Sequence, residues 1–453
     1  MNTNSLILAV AAPANNNVMA LNQGGTLTFE YAIPIFLIMI FAAALFSSKT
    51  KIPHTMILLG FGVCISLISL KGLGIPNLNQ FNINPNLVIT FIIPPLIFEA
   101  MMNVDYKRFK AIRISALLLA TIGVILATLI GGFLLVYIAG LPILPAFAFA
   151  ALISPTDAAI VIEIFKSVRV PRVLSTLMES EAAFNDATGA IAFSSLIALA
   201  FGSSGYAIAG TYNLIPFLNS SFPAISNSFV NLSFTHVEHF IVLFFGGSAI
   251  GLGIATATHR LHTLMNDPLS ETSLTIATVF GSVVLANTLG VSGLAAVAVA
   301  GLYFGNVTVK KEAIMSKNVR TFAFNFWEMI AFLASSVAFL YLGVSMNLID
   351  IVQHFPIIAL SLIAVFGARA ATIYPLLAAT TRFTRENIPN VWKHTVLLGG
   401  MRGAISVALV ASLPPSNLKN ILQTITFGVV LLSLIIQYVV LSRYVRRVFP
   451  DVQ

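Results

Sequence analysis

The sequence predicts an all-α polytopic membrane protein with about thirteen transmembrane helices. Its 453 residues are 58% hydrophobic and only 9% charged, whereas soluble domains carry about 25% charged residues. The mean hydropathy is +0.94, and apolar runs long enough to cross a hydrocarbon core of about 30 Å recur along the chain. The Lys and Arg residues lie mainly in alternate connections between these runs. Together these observations exclude an ordinary soluble domain.

Thirteen apolar segments have the length of a span or of a broken span. We number them as spans 1 to 13, and they cover 31–47, 55–70, 85–101, 113–138, 142–164, 173–201, 237–257, 269–288, 291–306, 321–345, 355–379, 394–413 and 419–443. An odd number allows two inverted six-helix repeats, spans 1–6 and 8–13, with span 7 as a linker between them.

The distribution of charge predicts the topology. Basic residues near span ends are retained on the cytoplasmic side, so the N-terminus is expected outside and the C-terminus in the cytoplasm. The membrane is expected to be the cell (inner) membrane. The net charge of +8 does not indicate a nucleic-acid partner, because the basic residues lie in short runs between apolar segments. Residues 1–30 are predicted to be a mobile tail, 202–236 an external loop and 444–453 a cytoplasmic tail.

Span 5 contains the sequence SPTD, in which Pro155 precedes Thr156 and Asp157 in mid-segment. Proline removes a helix hydrogen bond, so we expect the helix to break here and to leave backbone carbonyls and half-helix ends beside a carboxylate. Such a combination suits a partly dehydrated cation. The alternative is a proline kink in which Asp157 only caps the following half-helix.

Span 6 contains ESEAAFND, which places Glu179, Glu181, Asn185 and Asp186 within about two helical turns. Glu181 and Asn185 lie on one face, and Asp186 lies about 100° further round. Three carboxylates this close in an apolar helix cannot all be ionised without partners. At least one is therefore expected to take up and release a proton at the working pH, unless the segment is a loop at the membrane edge.

Two arginines fall inside spans of the second half. Arg369 lies in mid-span 11, and Arg402 lies in span 12 within GGMRGA, flanked by Gly399, Gly400 and Gly403. A charged side chain inside a span costs about 2.5–3.5 kcal/mol, so each arginine needs a carboxylate, a carbonyl or water. The glycines make span 12 a second broken helix, in the same place in its half as span 5. Crossing broken helices at paired positions indicate a substrate site at the bilayer midplane.

Three further acids lie near span ends. Glu99, in PPLIFEA of span 3, is either a residue of the ion pathway or an interfacial acid, and Glu163 and Glu328 are expected to be interfacial or structural. The sequence has no HExxH, no GxSxG and no cysteine cluster, which predicts that the protein is not an enzyme and has no cofactor.

The combination of SPTD, the acid spacing of ESEAAFND, a mid-span arginine and GGMRGA resembles the monovalent cation:proton antiporters of the NhaP and eukaryotic Na⁺/H⁺ exchanger type, over residues 31–445. The resemblance implies that Asp186 carries the cation or the proton, and that Asp157 and Thr156 complete the Na⁺ site. It also implies supporting roles for Asn185, Glu181 and Arg369. Arg402 and Glu179, as charged residues inside spans, are expected to support the site as well.

Among the supporting residues, the resemblance implies that Asn185 holds the crossing region together and that Glu181 pairs with Arg369. Two positions depart from the family pattern. Ala182 stands where a serine ligand is common, and Ala158 stands where a proline is common. The loss of one oxygen ligand leaves the selectivity between Na⁺, K⁺ and Li⁺ open.

The expected activity is exchange of Na⁺ for H⁺ by competition at one buried aspartate. An Asn precedes the carrier where electrogenic relatives have a second Asp, so the resemblance implies electroneutral one-for-one exchange. Core residues 113–201 and 355–443 are expected to move against a scaffold of 31–101 and 269–345, joined by linker span 237–257. The resemblance also implies a homodimer formed through the scaffold. The alternatives are K⁺/H⁺ exchange by the same fold or a cation channel, although channels usually build their pores by symmetry around an axis.

Overall fold

The computed structural model describes most of the chain as helices. The described residues are 29–50, 52–67, 88–165, 168–201, 229–265, 267–309, 315–346, 348–384, 386–411, 413 and 417–449. The predicted tail lies outside them up to residue 28, as does the predicted external loop up to residue 228; residues 229–236 of that loop are helical. The prediction of an all-helical fold is confirmed for the described residues, while the count of thirteen spans and the inverted repeat stay predictions.

The helices are numbered in chain order. They are α1 Phe29–Thr50, α2 His54–Leu67, α3 Ile93–Asn103, α4 Tyr106–Leu118, α5 Val124–Ala139, α6 Ile143–Ile153, α7 Ala159–Phe165, α8 Arg172–Phe201, α9 Phe229–His262, α10 Pro268–Thr288, α11 Gly293–Tyr303, α12 Lys317–Val344, α13 Leu348–Gln353, α14 Phe355–Phe383, α15 Asn390–Leu398, α16 Ala404–Ala411 and α17 Asn417–Val448. Short π-helical turns precede α3, join α4 to α5 and follow α11.

Six helical stretches in the described part of the chain are long and apolar enough to cross a membrane. They are Tyr106–Ala139, Ile241–His262, Pro268–Thr288, Lys317–Val344, Phe355–Phe383 and Lys419–Val448. Shorter apolar helices of 10–17 residues accompany them. Helix α4 begins at Tyr106, ahead of the predicted start of span 4, because Asp105 caps it by accepting a hydrogen bond from Lys107 N at 2.9 Å.

Two apolar segments are interrupted in the middle. Helix α6 ends at Ile153 and α7 begins at Ala159, and Pro155 lies in the non-helical stretch between them. Helix α15 ends at Leu398 and α16 begins at Ala404, with the glycine-rich GGMRG between them. These interruptions fall in spans 5 and 12, where the sequence predicts them.

The helices pack most extensively within two groups. The first helix group contains α1–α3 and α9–α12, and the second contains α4–α8 and α13–α17. Helix α8 contacts α3, α9 and α11 across the boundary, and α16 contacts α12. In the first group, Gly62 of α2 faces Gly343 of α12 so closely that a Cβ on either would lie 2.8 Å from the other's Cα. Small residues permit such close backbone contact between helices in a membrane. The division into scaffold and core stays a prediction.

Candidate functional site

The two interrupted helices cross and bond to one another. The backbone N–H of Asp157 donates to the carbonyl of Met401 at 2.8 Å. The Arg402 guanidinium donates through Nη1 to the carbonyls of Ser154 and Pro155, at 2.6 and 3.1 Å. Buried backbone carbonyls need partners, and the break at Pro155 leaves these two without helical ones. Arg402 therefore satisfies carbonyls that the first interruption exposes.

The glycines of the second interruption make room for charged side chains. A Cβ on Gly403 would lie 2.5 Å from the Asp157 Cβ, and a Cβ on Gly400 would lie 2.6 Å from the Arg369 Cδ. Real Cβ atoms do not approach other heavy atoms this closely. These positions require glycine because the side chains of Asp157 and Arg369 occupy the space that a larger residue would need.

Asn185 joins α8 to the first interruption. Its Nδ2 donates to Thr156 Oγ1 at 2.9 Å, and its Oδ1 accepts from the Thr156 backbone N at 3.3 Å. Both residues are buried, with 1% of Asn185 and 4% of Thr156 exposed. A Cβ on Gly189, one turn further along α8, would collide with the Pro155 ring. Helix α8 therefore packs directly against the break, and Asn185 holds the backbone there through its two hydrogen bonds to Thr156.

Glu181 and Arg369 form a buried ion pair. Arg369 donates to Glu181 through Nη1 at 3.0 Å and through Nη2 at 3.3 Å, and Nη2 also donates to the Val396 carbonyl at 3.0 Å. Both side chains are buried. Bidentate geometry of this kind is the strong form of the arginine–carboxylate contact. The pair links α8, α14 and α15 within the second helix group.

Asp157 and Asp186 both line a cavity of 680 Å³ between the two helix groups. Both are half-buried. The Asp157 carboxylate also accepts from Ala159 N at 2.8 Å, so it caps α7 as well as facing the cavity. Residues of α3 and α12 line one side, and residues of the two interruptions and α8 line the other. The cavity reaches the point where the broken helices cross.

Carboxylates dominate the polar lining of this cavity. Six acidic residues in the described part of the chain line it: Glu99, Asp157, Glu163, Glu179, Asp186 and Glu328. Among the lining residues that the structure describes, none is Lys or Arg. A cleft lined by one sign of charge raises the local concentration of the opposite ion. The arrangement is therefore suited to collecting cations.

Three further acids of the sequence analysis lie at the cavity. Glu99 lines the cavity, and Asn103 donates to its Oε1 at 2.6 Å. Glu163 and Glu328, expected to be interfacial or structural, line the cavity as well. The sequence shows only that each of these acids lies near a span end. It does not show which helices of the two groups face each other across the cavity.

Comparison with known proteins gives consistent matches. The sequence pattern of the transmembrane sodium/hydrogen exchanger family matches residues 35–447. The Na⁺/H⁺ antiporter ApNhaP of Aphanothece halophytica is 30% identical over 401 residues, which are 88% of this chain and 70% of the relative. The Na⁺/H⁺ antiporter NhaS2 of Synechocystis is 29% identical over 431 residues, covering 95% of this chain and 72% of the relative.

A solved structure shares the fold. The sodium proton antiporter MjNhaP1 of Methanocaldococcus jannaschii, determined at pH 8, superposes with a TM-score of 0.69. The superposition covers 93% of this chain and 99% of that one, at 20% sequence identity.

Proposed function

Because this chain belongs to the transmembrane sodium/hydrogen exchanger family, we propose that it exchanges Na⁺ for H⁺ by competition at the Asp186 carboxylate. Membership of the family confirms the predicted resemblance to NhaP-type antiporters, and with it the prediction of a multi-pass membrane transporter that is not an enzyme. The observation that carries the proposal is that Asp157 and Asp186 line one acidic cavity beside two crossing helix breaks.

Competition follows from the chemistry of a half-buried carboxylate. A carboxylate at this depth is stabilised either by a bound proton or by a bound cation, since an unpaired charge in an apolar environment is unfavourable. One site that holds one or the other, but not both, couples the two fluxes. Asp186 supplies the carrier carboxylate, and Asp157 and Thr156 supply further oxygens for the cation.

We propose electroneutral one-for-one exchange. Two neighbours of Asp186 are fixed in other roles: Asn185 is uncharged and bonded to Thr156, and Glu181 is paired with Arg369. They therefore carry no transported proton in this mechanism. The selectivity for Na⁺ over K⁺ or Li⁺ depends on a site in which Ala182 lines the cavity and offers no side-chain oxygen.

We propose alternating access for the exchange. The cavity is lined by Asn103 at the end of α3 and by Glu179 near the start of α8. Both lie beside connections rich in Lys and Arg, which the charge bias assigns to the cytoplasm. On this proposal, the structure corresponds to the state that is open to the cytoplasm. We also propose that the protein is a homodimer in the cell membrane, with its N-terminus outside.

The test is proton flux in sealed proteoliposomes carrying an imposed pH gradient. Na⁺, Li⁺ and K⁺ are added in turn, with and without a potassium–valinomycin voltage clamp. Dissipation that requires a cation and is indifferent to the clamp supports electroneutral antiport and identifies the ion. Dissipation that the clamp accelerates contradicts the one-for-one stoichiometry and favours electrogenic exchange or a channel.

The carrier itself is tested in the same vesicles. Asp186→Asn keeps the shape of the side chain but cannot exchange a proton for a cation, so we expect exchange to be abolished. Asp350→Asn, a change of the same type in α13 and away from the cavity, is the control and should exchange normally. Appreciable exchange by Asp186→Asn contradicts a single carrier.

A further inference from the structure

A two-residue linker, Val104 and Asp105, joins α3 of the first helix group to α4 of the second. The end of one helix and the start of the next leave backbone groups without helical partners. One side chain pairs with both ends. Asn306 donates through Nδ2 to the Val104 carbonyl at 2.7 Å and accepts at Oδ1 from the Tyr106 backbone N–H at 2.8 Å.

Asn306 is held firmly against the first helix group. It lies in the π-helical turn Phe304–Thr308 that follows α11, and its Nδ2 also donates to the Leu302 carbonyl at 3.0 Å. A Cβ on Gly301 would lie 2.7 Å from the Phe98 carbonyl oxygen of α3. Helix α11 is therefore in backbone contact with α3, and Asn306, just beyond the end of α11, is bonded to the chain just beyond the end of α3. Single π-turns inside helices are frequently found at functional sites.

The first part of α4 ends in a second discontinuity. Ile112 has non-helical angles, φ −133° and ψ 15°. The N–H groups of Ile114 and Ser115, just beyond it, each donate to the Glu386 carboxylate at 2.9 Å, and the Ser115 hydroxyl donates to it at 2.5 Å. Glu386 lies in the connection between α14 and α15 of the second helix group. We call residues 106–112 the strut. Its start is bonded to Asn306 of the first helix group, and the chain just beyond its end is bonded to Glu386 of the second.

We propose that Asn306 is a positioning residue for exchange: it holds the start of the strut on the first helix group and fixes the pivot about which the second group, with Asp186, turns. The inference rests on the proposed alternating-access exchange. Since one amide bonds the backbone on both sides of Asp105, the linker bends while the Tyr106 N–H stays in place. The kink at Ile112 takes up the remaining change of angle.

Tyr106→Pro removes the one N–H that bonds to Asn306 Oδ1. Proline is well tolerated at the first position of a helix, and Asp105 has the extended conformation, φ −75° and ψ 111°, that a following proline requires. Tyr106→Ala is the matched control, because it removes the same side chain and keeps the N–H. We expect Tyr106→Pro to lower the maximal exchange rate about two- to tenfold relative to Tyr106→Ala, the range for one lost hydrogen bond.

The expected signature is kinetic. The apparent KM for Na⁺ should stay within about twofold, because the ion ligands are untouched. Asn306→Ala removes the bond to Tyr106 together with the bonds to the Val104 and Leu302 carbonyls, so it should lower the rate at least as much. Adding Tyr106→Pro to Asn306→Ala should lower the rate no further, since the shared contact is already lost. Asn420→Ala, an exposed asparagine in α17, should behave as wild type. Equal rates for Tyr106→Pro and Tyr106→Ala, or fully additive losses, overturn the proposal.

A second measurement does not depend on transport. The sequence has one cysteine, Cys64, so a Cys64→Ser background allows spin labels at two exposed residues, Leu264 of the first group and Phe383 of the second. We expect the wild type to show two narrow label–label distance populations whose ratio changes with Na⁺, and Asn306→Ala to broaden both. Identical distributions in both proteins overturn the pivot. If the wild type carries no cation-coupled proton flux, the proposed function fails, and the distance distributions still decide the pivot.

Discussion

Glu181, Asn185 and Asp186 share two turns of one helix yet meet three different environments. Glu181 is paired with Arg369, Asn185 bonds Thr156, and Asp186 faces the cavity. The difference follows from the 3.6-residue period, which turns adjacent residues about 100° apart. Position around the helix separates a structural acid from the proposed carrier.

Removing one partner of the buried pair should destabilise the protein. Arg369→Ala leaves Glu181 buried and without its arginine, which typically costs about 3–5 kcal/mol. Replacing both members, Glu181→Leu with Arg369→Met, should restore much of that loss because no isolated charge remains buried. Thermal unfolding of the purified variants in detergent measures this. A melting temperature of Arg369→Ala equal to that of the wild type would contradict a stabilising role for the pair.

At the scale of single residues, the sequence predicted the types of site residue better than their contacts. Mid-span charges are few and therefore conspicuous, so Asp157, Asp186, Arg369 and Arg402 could be singled out. The partners of Arg402 could not, because a carboxylate, a carbonyl or water would each satisfy it. Its actual partners, two carbonyls beside Pro155, are defined only when the two breaks cross.

At the scale of elements, the crossing depends on glycine where the two non-helical stretches meet. Gly403→Ala should abolish exchange or reduce it severely, because the added Cβ would displace the Asp157 carboxylate. Gly253→Ala in α9 is the control, since no atom lies within 4 Å of a Cβ built there. Proteoliposome flux and melting temperature, measured together, separate loss of exchange from loss of fold. Wild-type exchange by Gly403→Ala would contradict the described packing.

Pro155 and the glycines of GGMRGA were local signals for the two breaks, and the structure has interruptions at both. The discontinuities around the strut had no such signal. Ile112 is neither glycine nor proline, and the N–H groups freed there bond to Glu386, which lies far along the chain. A kink held by a distant carboxylate is a tertiary feature that helical periodicity does not reveal.

At the scale of the whole molecule, charge is strongly segregated. The chain carries 24 Lys and Arg residues, yet none of the described residues lining the acidic cavity is basic. The cavity should therefore attract cations over a distance set by the ionic strength. The charge bias of the connections was visible in the sequence, whereas the acidic cavity was not, because its carboxylates come from five separate helices and breaks.

Neutralising two exposed acids of the cavity should weaken cation capture. The double variant Glu163→Gln/Glu328→Gln is expected to raise the apparent KM for Na⁺ at low salt, with little change in maximal rate. The effect should shrink as the Debye length falls from about 30 Å at 0.01 M to about 8 Å at 0.15 M ionic strength. Proteoliposome assays at the two ionic strengths, adjusted with choline chloride, measure it. An effect that does not depend on salt would contradict long-range attraction.

The central claim, that a proton and a cation compete for Asp186, is tested most directly by proton release from purified protein in weakly buffered detergent solution. Adding Na⁺ to the wild type should release about one proton per cation bound, and adding it to Asp186→Asn should release none. Cation binding without proton release, or equal release by the two proteins, would contradict competition at this carboxylate.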